Sequence, residues 1–210
     1  MLTGLYGGTF DPVHRGHTHV AAAVRDHLNL DEVRLVLSAR PGHRGAPRAP
    51  IEDRWHMLKL ACARHEGLVA DDSELRREGP SFTLVTVKYL RRTFPDIVPC
   101  WILGQDAFAT LPEWHAWREL MAECNLVVVD RPGGRLTEPS CVRALCAAHE
   151  VSRLAADRIG QIVRLDLPML DISASDIRHR VACGEPVEQL LESPVYSYIR
   201  QKQLYLEEAI

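Results

Sequence analysis

Along the first 165 residues, six short runs rich in aliphatic and β-branched side chains alternate with segments of helical length, and this alternation restricts the fold more than any other feature of the chain. The runs are Leu2 to Tyr6, Val33 to Leu37, Gly67 to Ala70, Cys100 to Leu103, Leu126 to Val129 and Ile162 to Leu165. Helical patterns lie near 17–28, 52–65, 82–93, 113–122 and 140–158. Val20, Ala23, Val24 and Leu28 follow the i, i+3, i+4, i+8 spacing, so the first helix is expected to bury one face. Strand, helix and strand in strict succession predict an α/β fold: a doubly wound parallel sheet with helices on both faces.

Past Leu165 the pattern changes to helix upon helix, at Ser173 to Cys183, Val187 to Glu192 and Pro194 to Leu204. Gly184 and Pro186 punctuate the first two as a C-cap glycine and a following proline do. The expected organisation is therefore a core over 1–170 and a C-terminal helical subdomain over 171–210, packed beside the ligand edge of the sheet. The segment Arg40 to Pro50, RPGHRGAPRAP, lacks apolar anchors and is expected to be a mobile loop.

Composition narrows the function classes. The 210 residues are 46% hydrophobic and 25% charged with a net charge of -3. Such a chain has core enough to fold alone and no excess of positive charge for a nucleic acid. The start has neither the basic nor the apolar region of a secretory signal, and no run approaches a membrane span. The six cysteines form no C-x-x-C pair and no zinc spacing, which fits reduced thiols and a cytoplasmic protein.

The residues with chemistry to offer begin at Gly7. The stretch GGTFDPVHRGH, Gly7 to His17, sits where the first strand becomes the first helix. Glycines allow close approach of backbone, whose N–H groups together with a helix N-terminus attract an anion. Asp11-Pro12 makes a turn that ends the loop and aims the residues after it. His14 and His17, three apart, share a helix face, and imidazoles beside phosphate are readily protonated and donate hydrogen bonds. A tight turn with surface histidines is the plainer alternative. Neither G-x-x-x-x-G-K-[ST] nor G-x-G-x-x-G is present, so other phosphate loops lack their residues.

A second segment, Ile172 to Arg178, reads ISASDIR. Ser173 stands at a helix N-cap position with Asp176 three residues on, close to a capping box. Its hydroxyls and first-turn amides suit phosphate oxygens, and Arg178 adds a permanent cation with a planar fork.

Together these segments resemble the nucleotidyltransferase superfamily with the HxGH and ISSTxxR signatures. His14-Arg15-Gly16-His17 matches the first, and Ile172 to Arg178 the second with Ala174 in place of a serine. From about Gly4 to Leu204 the chain resembles the bacterial nicotinate-nucleotide adenylyltransferase family, whose core is Rossmann-like. Pro41-Gly42-His43-Arg44 is similar to its PPHK or PPHR loop, Arg54-Met57-Leu58 to its R-x-x-M-L helix and Ser81-Phe82-Thr83 to its SYT. Gly104-Gln105-Asp106, Leu111-Pro112-Glu113-Trp114 and Arg131-Pro132-Gly133 resemble its GxD, F-x-x-W and RPG elements.

The resemblance implies transfer of AMP from ATP to nicotinate mononucleotide, with in-line attack by the mononucleotide phosphate and release of pyrophosphate. That nucleophile is already an anion, so positioning and charge stabilisation suffice. Carried over by position, Gly7, Gly8, Thr9 and Phe10 surround the ATP phosphates. His14 and His17 contact the α- and β-phosphates, with His17 the chief transition-state donor. Ile172, Ser173 and Arg178 hold the β/γ end, and Gly104 and Asp106 the adenosine side. Mg²⁺ arrives bound to ATP. Thr83 and Arg131 are implied for the acceptor's phosphate and ribose, His43 and Arg44 for a loop that closes over it, and Trp114 for stacking on its pyridine ring.

Three positions depart from the family pattern: Gly42 for a common proline, His115 for a frequent tyrosine, and Ala174. Nicotinamide mononucleotide and phosphopantetheine are the rival acceptors within the superfamily. A nucleotide-binding module without catalysis is a rival of another class, which the intact His14, His17 and Arg178 disfavour. The expected state is a monomer or weak homo-oligomer.

Overall fold

The computed structural model describes residues 1–41, 45–130 and 137–206. Six strands, β1 (Leu2–Gly8), β2 (Glu32–Leu37), β3 (Leu68–Asp71), β4 (Val98–Gly104), β5 (Asn125–Asp130) and β6 (Ile162–Asp166), form one sheet in the order β3-β2-β1-β4-β5-β6. Every neighbouring pair is parallel. From β1 the chain steps outward to β2 and β3, then crosses back to β4 on the other side of β1. The crevice for a ligand in such a sheet lies beyond the strand C-termini at that reversal, between β1 and β4.

The strand pleat divides the core in two. Val33, Leu35, Ile102, Val127 and Val129 face one way and pack with α1 (Arg15–Leu28), α2 (Ile51–Cys62), α7 (Ala174–Ala182) and α8 (Ser193–Lys202). Val36, Trp101, Leu103, Leu126 and Val128 face the other and pack with α3 (Thr83–Thr93), α4 (Gln105–Ala109), α5 (Trp117–Leu120) and α6 (Ser140–His149). Alternate residues of one strand thus serve opposite layers. The doubly wound parallel α/β class expected from the alternation is the one observed, with the Rossmann-like core that the resemblance implies. Ile177, Val195 and Ile199 of α7 and α8 are buried in the same core as α1 and α2.

Several elements differ from the sequence-based expectation. The segment 113–122 breaks into a 3-10 turn at Leu111–Glu113 and the single-turn α5, because Ala116 between them takes a left-handed conformation, φ 49°. The helix expected over 140–158 stops at His149. Beyond it the buried Gln161 accepts the Ala155 N–H and donates to the Ala155 and Arg158 carbonyls, holding 155–161 as a loop. Val187 to Glu192 forms a turn rather than a helix, and its Leu190 carbonyl accepts the Arg15 N–H at the start of α1. All six cysteines are free; burial pushes the Cys62 and Cys100 thiols up to about 12, so both stay protonated and inert at neutral pH.

The opening glycines serve packing more directly than ligand approach. A Cβ on Gly7 would lie 2.6 Å from the Trp101 indole of the neighbouring strand, and one on Gly8 would lie 2.8 Å from the Phe10 ring. Trp101 is only 6% exposed. Gly7→Ala is expected to destabilise the fold by about 1–3 kcal/mol through overpacking, read as an earlier urea midpoint; an unchanged midpoint would refute the contact's importance.

Candidate active site

A cleft of about 640 Å³ opens at the β1/β4 reversal. Among the residues singled out from sequence, Gly7, Gly8, Thr9, Phe10, His17, Thr83, Gly104, Trp114 and Arg178 line it. Positions almost a whole chain apart are therefore brought to one cleft. His14 lies behind His17, Ser173 and Ile172 stand at the entry to α7, and Asp106 is exposed in the first turn of α4. His43, Arg44 and Arg131, and the Gly42 departure, lie outside the described residues.

The β1–α1 connection bends sharply before the histidines. Phe10 is buried with φ 47°, a left-handed conformation rare for an aromatic residue, and the Asp11–Pro12 peptide is cis. His14 is the N-cap of α1, and its main-chain N–H donates to His17 Nδ1 at 3.2 Å. That bond makes Nδ1 an acceptor and assigns the proton of the neutral His17 ring to Nε2. The two rings lie 3.7 Å apart between centroids, tilted by 30°, and Phe10 meets His17 edge-on at 5.0 Å. Gly16 completes the set by absence. A Cβ there would stand 3.0 Å from the His14 ring and displace it.

The two imidazoles differ in environment. His14 is 6% exposed, and burial pushes its pKa down to about 4, so in the unliganded chain it is neutral at pH 7 rather than protonated. The unfolded chain keeps the ordinary value of about 6.5. Between those values the unfolded state binds a proton that the native state refuses, so the stability His14 contributes is full above about pH 6.5 and is lost as pH falls toward 4. The expected loss is roughly 3 kcal/mol across that window. Urea titrations of wild type and His14→Gln between pH 7 and 4.5 measure it: the wild type should lose more stability, and parallel curves would overturn the assignment.

Arg178 ties the second segment to the first. Its Nη1 donates to the Asp11 carbonyl at 2.7 Å, fixing α7 against the turn that precedes the histidines. Ser173 caps α7 as its position predicts, its Oγ accepting the Asp176 N–H at 3.1 Å, with Ser175 Oγ 3.2 Å away. Ala174, the residue that replaces a serine, lines the cleft itself.

Asp11 does more than make the turn expected of Asp11-Pro12. Its buried carboxylate accepts the Arg48 N–H at 2.7 Å, the Ala49 N–H at 3.1 Å and the Tyr205 hydroxyl at 2.7 Å. The part of the 40–50 segment expected to be mobile is thereby anchored at 48–49, with Ala49 only 4% exposed. No local sequence signal links position 11 to position 205.

On the opposite wall Thr83 opens α3. The turn before it is held by Ser81, whose Oγ accepts the Arg40 N–H at 2.8 Å, while Arg40 Nη1 donates to the Arg77 carbonyl at 3.1 Å. The buried Glu74 accepts the Thr86 hydroxyl at 2.5 Å and the Ala39 N–H at 3.2 Å. Trp114 packs partly on the core and partly lines the cleft, so it is both a core residue and a wall. His115, the departure beside it, stacks on Phe82 at 4.4 Å and joins the segment around Thr83 to the one around Trp114. A Cβ on Gly104 would meet open space, so that backbone is open to a ligand.

Among the described residues, no group of three or more His, Cys, Asp or Glu is placed to hold a metal ion, and no helix is long and apolar enough to cross a membrane. The arrangement offers imidazoles, a guanidinium and backbone donors around a polar cleft, a set suited to holding phosphate groups.

Comparison with known proteins agrees with the geometry. The family model described as cytidylyltransferase-like matches residues 5–180. A protein of Aeromonas salmonicida named "Probable nicotinate-nucleotide adenylyltransferase" is 40% identical over 205 residues, covering 96% of each chain. One of Pseudomonas syringae pv. tomato with the same name is 42% identical over 96% of this chain and 92% of its own. In fold, the chain is similar to Plasmodium falciparum nicotinic acid mononucleotide adenylyltransferase complexed with NaAD, with a TM-score of 0.75 at 16% identity over 99% of this chain and 98% of that one. The chain belongs to the cytidylyltransferase-like nucleotidyltransferases and, among them, to the nicotinate-nucleotide adenylyltransferase family.

Proposed function

We propose that the protein transfers AMP from Mg²⁺-bound ATP to nicotinate mononucleotide, giving nicotinate adenine dinucleotide and pyrophosphate on the route to NAD. The observation that carries the reading is the convergence of His17, Arg178, Gly104, Thr83 and Trp114 on one cleft at the sheet's reversal point, in a chain whose relatives are named for this activity. The acceptor's phosphate oxygen attacks the α-phosphorus as pyrophosphate leaves, without a covalent enzyme intermediate.

In this reading Gly7, Gly8, Thr9 and Phe10 border the triphosphate, and His17 Nε2 donates to the oxygens that gain charge. His14 supports it, since a polyanion favours the imidazolium against the burial that keeps the ring neutral. Ser173, Ile172 and Arg178 receive the β/γ end, which makes 171–210 a helical subdomain completing the ATP site of the 1–170 core. Gly104 and Asp106 take the adenosine side. Thr83 and Trp114 face the acceptor, together with His43, Arg44 and Arg131. Mg²⁺ comes with ATP and keeps most of its waters. We further propose a cytoplasmic protein that acts as a monomer or weak homo-oligomer and binds no nucleic acid.

Pyrophosphate release with ATP, Mg²⁺ and a panel of acceptors tests the reading. Turnover should be highest with nicotinate mononucleotide. Higher turnover with nicotinamide mononucleotide or phosphopantetheine would replace the acceptor, and no release with any of them would remove the enzymatic reading.

A further inference from the structure

The buried guanidinium of Arg54, on α2 behind the first loop, has no part in the proposed adenylyl transfer. Its side chain is almost wholly enclosed, with Arg54 only 2% exposed. A single nitrogen, Nη1, donates to the Thr9 carbonyl at 2.8 Å and to the Ser38 carbonyl at 3.1 Å. These carbonyls lie just past the C-terminal ends of β1 and β2, at the rim of the cleft. Enclosing a cation is costly without compensation; here burial lowers the guanidinium pKa and the Asp11 charge opposes that shift. A surface tie between two strand ends would not need a buried cation.

The Thr9–Phe10 peptide is trans, so its C=O and N–H point in opposite directions. With the Thr9 carbonyl drawn toward Arg54, the Phe10 N–H is turned away from α2. No acceptor among the described residues receives that N–H, although Phe10 is buried and its loop lines the cleft. A backbone donor beside a cleft with no partner in the protein calls for a reason. The left-handed φ of Phe10, 47°, is a second sign that this peptide is held where it would not rest unaided.

We infer that Arg54 is a positioning residue for the triphosphate site: by fixing the Thr9 carbonyl it aims the Phe10 N–H into the cleft, where that donor meets a phosphate oxygen of ATP. The inference rests on the adenylyltransferase reading for its ligand. It assigns Arg54 to the ATP side alone, since Thr83 and Trp114 lie on another wall.

Two variants test it. Arg54→Lys keeps a cation with a different reach, and Arg54→Met keeps bulk without charge. Pyrophosphate release is measured while Mg–ATP and nicotinate mononucleotide are varied separately, and Mg–ATP binding is measured calorimetrically without acceptor. Folding is followed by circular dichroism. In the folded variants KM and Kd for Mg–ATP should rise at least tenfold while KM for the mononucleotide stays within threefold. ATP affinity within threefold of wild type in folded Arg54→Lys, both KM values rising together, or loss of the folded state in both variants would assign Arg54 to stability alone and overturn the inference. A wild-type protein that binds Mg–ATP but turns over no mononucleotide would sink the functional reading and leave the binding arm to decide Arg54.

Discussion

Replacing His17 by alanine is expected to lower turnover by roughly 10²-fold or more, about 2.7 kcal/mol of lost transition-state stabilisation. The size reflects the donor that the ring supplies. With Nδ1 engaged by the His14 N–H, the neutral ring donates through Nε2, and His17 lines the cleft directly. The cost to the fold is of another order: losing the bond to the helix-terminal N–H resembles losing a cap, about 1 kcal/mol. Circular dichroism and the urea midpoint should therefore change little while single-turnover rates collapse. The defect should fall on kcat more than on KM for either substrate, because the donor matters most as charge builds on phosphate oxygen. Turnover within threefold of wild type would remove His17 from the role.

The strands were legible because each is a short aliphatic run bounded by polar or glycine residues, and all six lie within a few residues of their expected positions. The helices that failed did so for reasons outside local pattern. Ala116 breaks 113–122 through a backbone conformation that an alanine does not advertise, and Gln161 holds 155–161 open by bonds to a loop upstream of it. The five-residue α4 is too short to show a period.

For the site, legibility tracked contact distance along the chain. His14 and His17 were readable as an i, i+3 pair, and Ser173 as a cap, because one helical turn explains them. Arg178 could be named as a cation, but its bond to the Asp11 carbonyl spans 167 positions. Asp11, Arg54, Glu74 and Tyr205 went unassigned for the same reason. Each acts through partners far away in sequence, and a buried charge looks like a surface charge until its neighbours are placed. Gly7 and Gly8 carry a second cause that local pattern does not show: a Cβ at either would meet the Trp101 or Phe10 ring.

Arg164→Met is expected to produce a large loss of stability. The Arg164 side chain is 6% exposed and meets three carboxylates: Nη1 to Asp130 Oδ1 at 3.0 Å, Nη2 to Glu138 Oε1, and Nε to Glu150 Oε2 at 3.5 Å. Burial lowers its pKa, but the hydrogen bonds to Glu138 and Cys146 and the charges of Glu138 and Asp130 raise it further, so it stays charged at every working pH. One cation thus joins the end of β5, the middle of β6 and the approach to α6. Methionine fills much of the same volume, so packing is largely kept and the electrostatic term is isolated. The variant takes from Asp130, Glu138 and Glu150 the buried cation they share, a change that costs about 3–5 kcal/mol when a buried pair is broken from one side. For a domain of this size that corresponds to a fall in Tm of roughly 6–20 °C. The pH dependence separates this cause from lost packing. Protonation relieves repulsion among carboxylates that have lost this shared cation, so the gap between wild type and variant should narrow as pH is lowered from 7 toward 4.5. A gap that stays constant across that range would assign the loss to packing, and a gap below about 1 kcal/mol at pH 7 would show that solvent already screens the cluster.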